Sequence, residues 1–266
     1  MVSSDVPALI IGRPEWDNLV RRRNEQLEVE QVDEGQDETE EIDLRIREML
    51  DAAKLAGMSA KGLAAGKELL YKYRDMWRIN LREDDYVDLA PLMIELTQEF
   101  DLPKPYMRRY NEAEMEWWVT NMPKMVKNRL FRKTSAGKLS PSNLVGKKED
   151  GRAKIDQYRM VVDLRSLNKI VKDLDFLLPK LDEIVHRLRG ARCFAKGDGT
   201  KGYRQFLLHQ LARAMTGFIC PLGAYEHLRV PMGLKTAAAY YQRHMHTILG
   251  ELLYKAVLQY LDDTLV

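Results

Sequence analysis

The sequence has little of what marks secreted, membrane or zinc-binding proteins. Only two of its 266 residues are cysteines, Cys193 and Cys220, and no metal-ligand spacing accompanies them. Two isolated cysteines fit a reducing compartment rather than a disulfide framework. No apolar run is long enough to cross a bilayer, and no signal peptide opens the chain. These absences favour an intracellular protein, in a cytoplasmic particle or the nucleus, with no membrane partner.

An excess of either charge is also missing. Lysine and arginine together number 42 and aspartate and glutamate 40, so the net charge is only +2. The charge is unevenly spread, because residues 25–43 are strongly acidic and the remainder is therefore basic. A basic remainder suits a polyanionic partner, although a mixed solvated surface is the commoner cause. Dense charge with few apolar residues predicts a disordered acidic linker over residues 21–41.

The chain does have apolar residues at helical spacing. Residues 42–78 predict two amphipathic helices, and the helical lead-in that they form is expected to reach residue 100. Asn111 followed by Glu114 predicts a capping box that opens the next helix. With 45% hydrophobic residues, a chain of this length can bury a sizeable core.

Strand signals dominate the second half of the chain. Residues 144–148 and 158–162 flank a Glu-Asp-Gly turn at residues 149–151, which predicts a β-hairpin. The Ser-Pro-Ser-Asn stretch at residues 140–143 predicts a turn before it. A further helix is predicted over residues 237–249, because a glycine ends its apolar pattern. The second half of the chain is therefore predicted to contain both strands and helices.

The last eleven residues carry the strongest single signal. The mainly apolar run of residues 256–261 meets Asp262 and Asp263, and a second apolar run follows. This pattern predicts a β-hairpin with the two carboxylates at its tip. Adjacent carboxylates repel each other unless a cation joins them, and a hard cation such as Mg²⁺ usually brings substrate phosphates with it. A solvated acidic turn is the alternative interpretation.

Several sequence blocks accompany this hairpin in a fixed order. They lie at residues 147–151, 159–168, 194–205, 230–234 and 260–263. The second reads Arg-x-x-x-Asp-Leu-Arg-x-Leu-Asn, the third contains Asp-x-x-x-Gly-Tyr-x-Gln, and the last is Tyr-Leu-Asp-Asp. Together they resemble a reverse transcriptase of the LTR-retrotransposon type, closest to the gypsy-like group. The resemblance is strong over residues 145–266 and fainter from about residue 69.

The resemblance implies an α+β right-hand polymerase fragment, with fingers and a truncated palm over residues 101–266. The core blocks lie in residues 145–266, and the acidic linker and the helices precede them. Residues 1–20 weakly resemble the tail of an aspartic protease-like domain. No Asp-Thr-Gly or Asp-Ser-Gly triplet occurs, so no protease activity is expected.

The implied function is RNA-directed DNA polymerisation within a Pol polyprotein. Its partners would be an RNA or DNA template with a DNA primer, deoxynucleoside triphosphates and the remainder of the polyprotein. Nucleotidyl transfer uses two divalent ions, here Mg²⁺ with Mn²⁺ as the other possibility, which stabilise the attacking and leaving oxygens. Asp198, Asp262 and Asp263 would be the catalytic carboxylates and metal ligands, with Gly199 also at the metal site. For Asp198 the alternative is an ordinary Gly-Asp-Gly turn.

The resemblance also implies two sets of substrate contacts. The expected nucleotide-binding residues are Lys148, Arg159, Lys201, Gly202, Tyr203 and Met232. Tyr203 would lie beside the sugar and exclude a 2′-hydroxyl by size, unless it is simply a core aromatic. The alternative for Met232 is packing, and for Arg159 it is a solvated basic hairpin. Arg165 and Asn168 would support the template, and a local polar turn explains them nearly as well.

Several features depart from the family pattern, and two of them concern the expected metal site. Gly197 and Gly199 flank Asp198, and glycine is expected to loosen a strand end that must hold a metal ligand. Few residues follow Asp263, so the chain alone is expected not to polymerise. The rival hypothesis is a non-catalytic relic of a decayed retroelement that binds nucleic acid through the basic segment at residues 124–169.

Overall fold

The computed structural model of the protein describes residues 34–78, 81–146, 158–177, 179–190 and 196–266. The chain divides into two compact units, Met1–Ile79 and Asn80–Val266. The predictions for residues 1–20 and 21–33 lie outside the described residues, and so does the turn predicted at residues 149–151. No helix among the described residues is long and apolar enough to span a bilayer.

The described part of the first unit is helical. Helix α1 (Glu34–Leu55) and helix α2 (Ala60–Lys72) are followed by a 3-10 helix over Arg74–Trp77. Ile42 and Ile46 on one face of α1 are buried, as the helical spacing of its apolar residues predicts. The two predicted amphipathic helices are therefore confirmed.

Helix α1 begins earlier than the sequence indicates. Its residues 34–41 belong to the stretch predicted as a disordered linker, so that prediction is wrong there. Glutamate is a good helix former and its charge is favourable near a helix N-terminus, so an acidic stretch can extend a helix. The predicted helical lead-in is also too long, because the described residues between 81 and 100 form no helix.

Residues 81–100 run instead as extended chain within the second unit. The Leu92 N–H donates to the Leu207 carbonyl (2.9 Å), and the His209 N–H donates to the Leu92 carbonyl (2.9 Å). Leu92 and Ile94 are both buried. Backbone pairing with a distant segment and alternate burial have overridden the local helical preference.

The larger sheet of the second unit has five strands. They are β1 (Phe131–Lys133), β2 (Ser140–Gly146), β3 (Tyr158–Val162), β5 (Phe218–Cys220) and β6 (Gly223–His227). Their order is β1-β6-β5-β2-β3, and only β2 and β5 pair in parallel. The predicted pairing of the segments before and after residues 149–151 is confirmed, because Leu144 faces Met160 in an antiparallel register.

The turn predicted at residues 140–143 is wrong, because these residues begin β2. The Ser140 N–H donates to the Gly217 carbonyl (2.8 Å), and the Ser142 hydroxyl donates to the Ile219 carbonyl (2.7 Å). Both serines are buried. The neighbouring strand β5 satisfies their polar groups, and this tertiary pairing outweighs the turn preference of Ser, Pro and Asn.

The helices of the second unit include two that the sequence predicts well. They are α3 (Glu112–Lys127), α4 (Arg165–Asn168), α5 (Leu181–Arg187), α6 (Gln210–Arg213) and α7 (Ala237–Leu249). The capping box of α3 is confirmed, with the Glu114 N–H donating to Asn111 Oδ1 (2.9 Å) and the Asn111 N–H to Glu114 Oε2 (2.8 Å). Helix α7 has the predicted bounds and ends at Gly250, whose φ is +48°.

Aromatic side chains form the centre of the core. The ring of Trp118 packs edge-on against Trp117 (5.4 Å between centroids), and both side chains are buried. His227 lies between Phe131 and Phe218, at centroid distances of 5.0 and 5.1 Å. Burial lowers the pKa of His227 to about 3. The imidazole is therefore neutral and belongs to the core.

The smaller sheet has three strands of three residues each. Strand β8 (Asp263–Leu265) lies between β4 (Lys196–Asp198) and β7 (Leu258–Tyr260), and both pairings are antiparallel. The predicted hairpin at the C-terminal stretch is confirmed. Its loop consists of Leu261 and Asp262, so Asp263 opens the second strand rather than sharing the tip.

Candidate active site at the three-stranded sheet

The register of the smaller sheet brings together the chain segments that carry three aspartates. Asp198, the last residue of β4, faces Asp263, the first residue of β8. The N–H of Gly199 donates to the carbonyl of Asp262 at 3.0 Å. The backbones of Asp198, Asp262 and Asp263 are thus neighbours, although 64 residues (262 − 198) separate the first two along the chain.

The carboxylates of the hairpin remain partly accessible. Asp262 and Asp263 are half-buried, and Asp263 Oδ1 lies 2.9 Å from Lys196 Nζ. Carboxylate oxygens are the donors that hard divalent ions prefer, so the chemistry of these side chains fits Mg²⁺. Among the described side chains, which do not include that of Asp198, no three His, Cys, Asp or Glu groups converge on one point.

A hydrogen-bond network holds the turn between β7 and β8. The Leu261 N–H donates to Gln242 Oε1 (2.6 Å), and Gln242 Nε2 donates to the Gln259 carbonyl (3.1 Å). The Thr264 hydroxyl in turn donates to Gln259 Oε1 (2.6 Å). Leu261 has a φ of +55°, an unfavourable conformation for a residue with a side chain. The network therefore supports a strained backbone next to Asp262.

The loop after Asp198 leads directly to Tyr203. Lys201 adopts a φ of +49° and precedes a 3-10 helix over Gly202–Gln205. The ring of Tyr203 lies 5.2 Å from that of Tyr241 and is half-buried against the core. Burial, and secondly the negative charge of Asp262, raise the pKa of Tyr203. The phenol is thus close enough to Asp262 to sense its charge, and it also contacts the core.

Two glycines of this loop, Gly199 and Gly202, lie close to the side chain of Tyr241. A Cβ placed on Gly199 would lie 3.0 Å from the Tyr241 hydroxyl oxygen, and one on Gly202 would lie 3.0 Å from both Cε2 and the hydroxyl oxygen of Tyr241. Both contacts are closer than ordinary van der Waals distance. Tyr241 therefore fills the space that the missing side chains leave, which contradicts the expectation that Gly199 loosens the site. Gly197 has no such neighbour, since its nearest one would be 3.8 Å away.

The remaining nucleotide-site candidates are spread over three segments. Arg159 is exposed on β3, and Lys148 lies outside the described residues. The side chain of Met232 is 58% exposed, so simple packing does not explain it. It precedes Gly233, whose φ of +89° makes the turn that leads to α7.

The two template candidates have different local partners. Arg165 makes a bidentate contact with Asp163 through Nε (2.8 Å) and Nη2 (2.6 Å), and this guanidinium lowers the pKa of Asp163 to about 2. Asn168 Nδ2 donates to the Gly233 carbonyl (2.7 Å), while its Oδ1 accepts from the Lys235 N–H (2.8 Å). Asn168 thus fastens the turn that carries Met232, a role that the sequence does not reveal.

Several cations of the basic segment are already paired with acids. Arg132 contacts Glu226 at 2.6 Å, Arg165 contacts Asp163, and Lys138 contacts Asp101. The density of lysine and arginine therefore overstates the positive charge that is available to a polyanion.

Residues 145–266 match the family model described as "Reverse transcriptase (RNA-dependent DNA polymerase)". This region is a reverse transcriptase domain. Such enzymes are nucleotidyltransferases, and the family generally uses divalent metal ions. The Retrovirus-related Pol polyprotein from transposon 297 of Drosophila melanogaster is 35% identical over 156 residues, which are 59% of this chain and 14% of that protein.

Two further relatives are polyproteins as well. The Transposon Tf2-3 polyprotein of Schizosaccharomyces pombe is 32% identical over 65% of this chain and 12% of its own length. The Enzymatic polyprotein of Cauliflower mosaic virus is 31% identical over 59% of the chain and 23% of its own length. The chain thus spans less than a quarter of the length of each relative. Because the family model and the transposon polyproteins both match, the reverse transcriptase domain is of the retrotransposon Pol type.

Solved structures confirm the predicted α+β polymerase fold. The foamy viral protease-reverse transcriptase in complex with RNA/DNA hybrid superposes with a TM-score of 0.68 at 17% identity, covering 83% of this chain and 28% of that one. The native Prototype Foamy Virus protease-reverse transcriptase gives a TM-score of 0.66 at 19% identity over 79% and 27%. At this identity the likeness establishes the fold, that of the fingers and part of the palm.

Sequence reasoning missed the residues that support the site. Tyr241 and Gln242 belong to no recognised block, and their only signal is a glutamine on the apolar face of a predicted helix. Lys196 gives no signal beyond its position two residues before Asp198.

Proposed function

We propose that the domain is the RNA-directed DNA polymerase of a gypsy-like LTR retrotransposon and acts as part of a Pol polyprotein. It extends a DNA primer on an RNA or DNA template inside the cell, in a cytoplasmic particle or the nucleus. The observation that carries this proposal is the register of the smaller sheet, in which Asp198 faces Asp263 and Gly199 is bonded to Asp262. This arrangement makes the backbones of two distant aspartate-bearing segments neighbours, and aspartate oxygens are the donors that hard divalent ions prefer.

The metal site in this proposal consists of Asp198, Gly199, Asp262 and Asp263. The group would hold two Mg²⁺ ions, or Mn²⁺ in their place, and bound ions stabilise the attacking and leaving oxygens during nucleotidyl transfer. The partly exposed hairpin carboxylates support the assignment, because a bound ion must also reach the substrate phosphates. Lys196 offers Asp263 a positive partner at 2.9 Å, which limits repulsion between the adjacent acids.

The reaction joins one nucleotide to the primer. The primer 3′-hydroxyl oxygen forms a bond to the α-phosphorus of the triphosphate, the bond to the bridging oxygen breaks, pyrophosphate leaves, and the hydroxyl proton passes to solvent. The proposed nucleotide-binding residues are Lys148, Arg159, Lys201, Gly202, Tyr203 and Met232. The lysines and the arginine would offset phosphate charge. Tyr203 would exclude a 2′-hydroxyl, and its place five residues after Asp198 in the same sequence block supports this role.

Template contacts are proposed for Arg165 and Asn168. The Arg165 side chain is 83% exposed and retains N–H groups beyond those that Asp163 accepts, so it can reach a phosphate. Asn168 would act mainly through the Gly233 turn that it fastens, because both ends of its amide are already bonded to that turn.

Primer extension tests the proposal. The chain would be joined to the segment that follows the matched region in the transposon 297 polyprotein, and incorporation on an RNA template would be measured with Mg²⁺ and with Mn²⁺. Asp262→Asn nearly preserves size but removes a negative ligand, so it should lower extension at least about 100-fold. Duplex binding should change little, because it depends on basic side chains.

The same measurements separate the rival hypothesis. Extension that survives Asp262→Asn would refute the metal assignment. Duplex binding without extension in the joined protein, under either metal, would support the non-catalytic nucleic-acid-binding relic instead.

A further inference from the structure

Two adjacent residues of α7 contact both segments that carry the candidate metal ligands. We propose that Tyr241 and Gln242 are positioning residues that set the spacing between the end of β4 at Asp198 and the Leu261–Asp262 turn. The inference rests on the proposed function, because the spacing matters only if these segments bind ions together. No sequence block includes either residue.

Gln242 is bonded to the β7–turn segment through both ends of its amide. Its Oε1 accepts the Leu261 N–H (2.6 Å), and its Nε2 donates to the Gln259 carbonyl (3.1 Å) and to His246 Nε2 (3.0 Å). The two N–H groups and the carbonyl oxygen of the amide are therefore all engaged. One side chain thus holds both the last part of β7 and the first residue of the turn.

The burial of these amides makes the contacts consequential. Gln242 is 0% exposed and Gln259 is 1% exposed. A buried polar group that loses its partner is costly, so the bonds are strongly favoured over any rearrangement of the turn. They hold Leu261 at its positive φ of +55° and thereby set the direction in which the chain enters Asp262.

Tyr241 acts on the other segment by shape. A Cβ built on Gly199 would lie 3.0 Å from its hydroxyl oxygen, and a Cβ built on Gly202 would lie 3.0 Å from its Cε2 atom. The side chain is buried and packs against Phe206 at 5.4 Å between centroids. The backbone after Asp198 therefore rests on a side chain that has little freedom to move.

The two contacts share one rigid support. Consecutive residues of a helix are 3.8 Å apart at Cα and differ in direction by about 100°, so Tyr241 and Gln242 reach different neighbours from one place. Divalent-ion sites tolerate errors of only about 0.5 Å in ligand position. A helix that contacts both ligand-bearing segments can provide this precision, whereas the three-residue strands alone offer few hydrogen bonds.

The first experiment measures the Gln242 contact itself in the 266-residue protein. Gln242→Met keeps the volume of the side chain but cannot bond to the turn. Hydrogen exchange of the Leu261 amide should become about tenfold faster, since one hydrogen bond is lost. Thr247→Ala, on the exposed side of the same helix, is the matched control and should leave this amide unchanged.

The second experiment measures what the contact does for the site. Mn²⁺ binding, followed by electron paramagnetic resonance, should weaken about 10- to 100-fold in Gln242→Met, as for other residues that orient metal ligands. The thermal midpoint of each variant is recorded alongside, because a purely structural role would lower the midpoint without changing Mn²⁺ affinity in the folded protein. Unchanged affinity would overturn the inference for Gln242.

A double-mutant cycle tests Tyr241. Gly199→Ala should weaken Mn²⁺ binding, because its methyl group meets the Tyr241 hydroxyl. The double variant Gly199→Ala/Tyr241→Phe should bind Mn²⁺ nearly as tightly as the Tyr241→Phe protein, because the obstructing oxygen is gone. Additive effects in this cycle would overturn the role of Tyr241.

The outcomes distinguish this inference from the proposed function. If the unmodified protein binds no Mn²⁺, or if its Mn²⁺ binding survives Asp262→Asn, the metal assignment fails. The spacing then has no purpose, even when hydrogen exchange of the Leu261 amide responds to Gln242→Met as expected. If the unmodified protein binds Mn²⁺ but neither Gln242→Met nor the Gly199–Tyr241 cycle alters that binding, the positioning inference fails and the proposed function stands.

Discussion

The two sheets of the second unit are held together in different ways. The five-stranded sheet contributes Phe131, Leu144, Met160 and Phe218 to a continuous apolar core, so burial of large side chains stabilises it. The three-stranded sheet contributes no residue to that core cluster among its described side chains. Its stability comes from short backbone ladders and from the side-chain amide of Gln242, which reaches it from α7.

This difference separates the residues that keep the protein folded from those that shape the site. Apolar burial tolerates small shifts, because it depends on area and volume more than on direction. Hydrogen bonds depend on distance and angle, so they can specify where Asp262 lies. Substitutions in the larger sheet should therefore affect stability first, and substitutions around the smaller sheet should affect metal binding and catalysis first.

The largest effect is expected from the core. Trp118→Ala should lower the free energy of unfolding by about 3–5 kcal/mol, because a fully buried indole is replaced by a methyl group. Trp118→Phe should cost much less, because the indole Nε1 has no hydrogen-bond partner in the described structure and its removal relieves a buried polar atom. Urea unfolding measures both, and equal losses would contradict this account.

Arg229 should give the next largest effect. Its guanidinium is buried and donates to the backbone carbonyls of Arg82 (2.8 Å), Glu83 (2.7 Å) and Arg204 (3.2 Å). Arg229→Met keeps the stem but leaves these carbonyls without their donor, at a cost of about 2–3 kcal/mol. Hydrogen exchange should show faster opening of residues 82–87 than of β2. Uniform acceleration across the domain would argue against a local fastening role.

Local signals predicted much of this architecture. The capping box at Asn111 and the terminal glycine after α7 depend on neighbouring residues, so a sequence reveals them. The parallel pairing of β2 with β5 joins Ser140 to Phe218, which lies 78 residues further along the chain (218 − 140), so no local pattern indicates it. The three aspartates were found through their blocks. Gln242 was not, because its importance arises only when the helix meets the turn.

The buried His227 predicts a pH effect of intermediate size. Its pKa is lowered by burial to about 3 in the folded protein, against roughly 6.5 in an unfolded chain. Between these values the unfolded chain binds the extra proton, so stability falls as pH drops below about 6.5 and the loss ends near pH 3. At pH 5 the loss should be roughly 2 kcal/mol.

Urea unfolding between pH 7 and pH 5 measures this dependence. His227→Phe should flatten the profile even if it lowers stability overall. His186→Gln, at an exposed site, is the control and should leave the slope unchanged. A profile that keeps its slope in His227→Phe would show that another group titrates.

Tyr203 should affect selectivity rather than stability. Tyr203→Val, in the joined polymerase, should raise ribonucleotide incorporation relative to deoxynucleotide incorporation by about tenfold or more, because a smaller side chain admits the 2′-hydroxyl. Tyr203→Phe keeps the ring and should preserve the ratio. An unchanged ratio with a lowered unfolding midpoint would instead support the core role, since the ring also packs against Tyr241.

The smallest expected effect concerns the basic segment. Lys133 is exposed on β1 with no ion pair among the described residues, whereas Lys138 is paired with Asp101. An exposed cation that meets a phosphate releases a counterion, so Lys133→Ala should reduce the slope of log affinity against log salt by about 0.9. Asp101→Asn should increase the slope, because it frees the ammonium of Lys138 for the duplex. Both slopes come from fluorescence anisotropy with a labelled primer–template across a salt series. If Lys133→Ala and Lys138→Ala reduce the slope equally and Asp101→Asn leaves it unchanged, the ion pair does not limit the charge that the duplex meets.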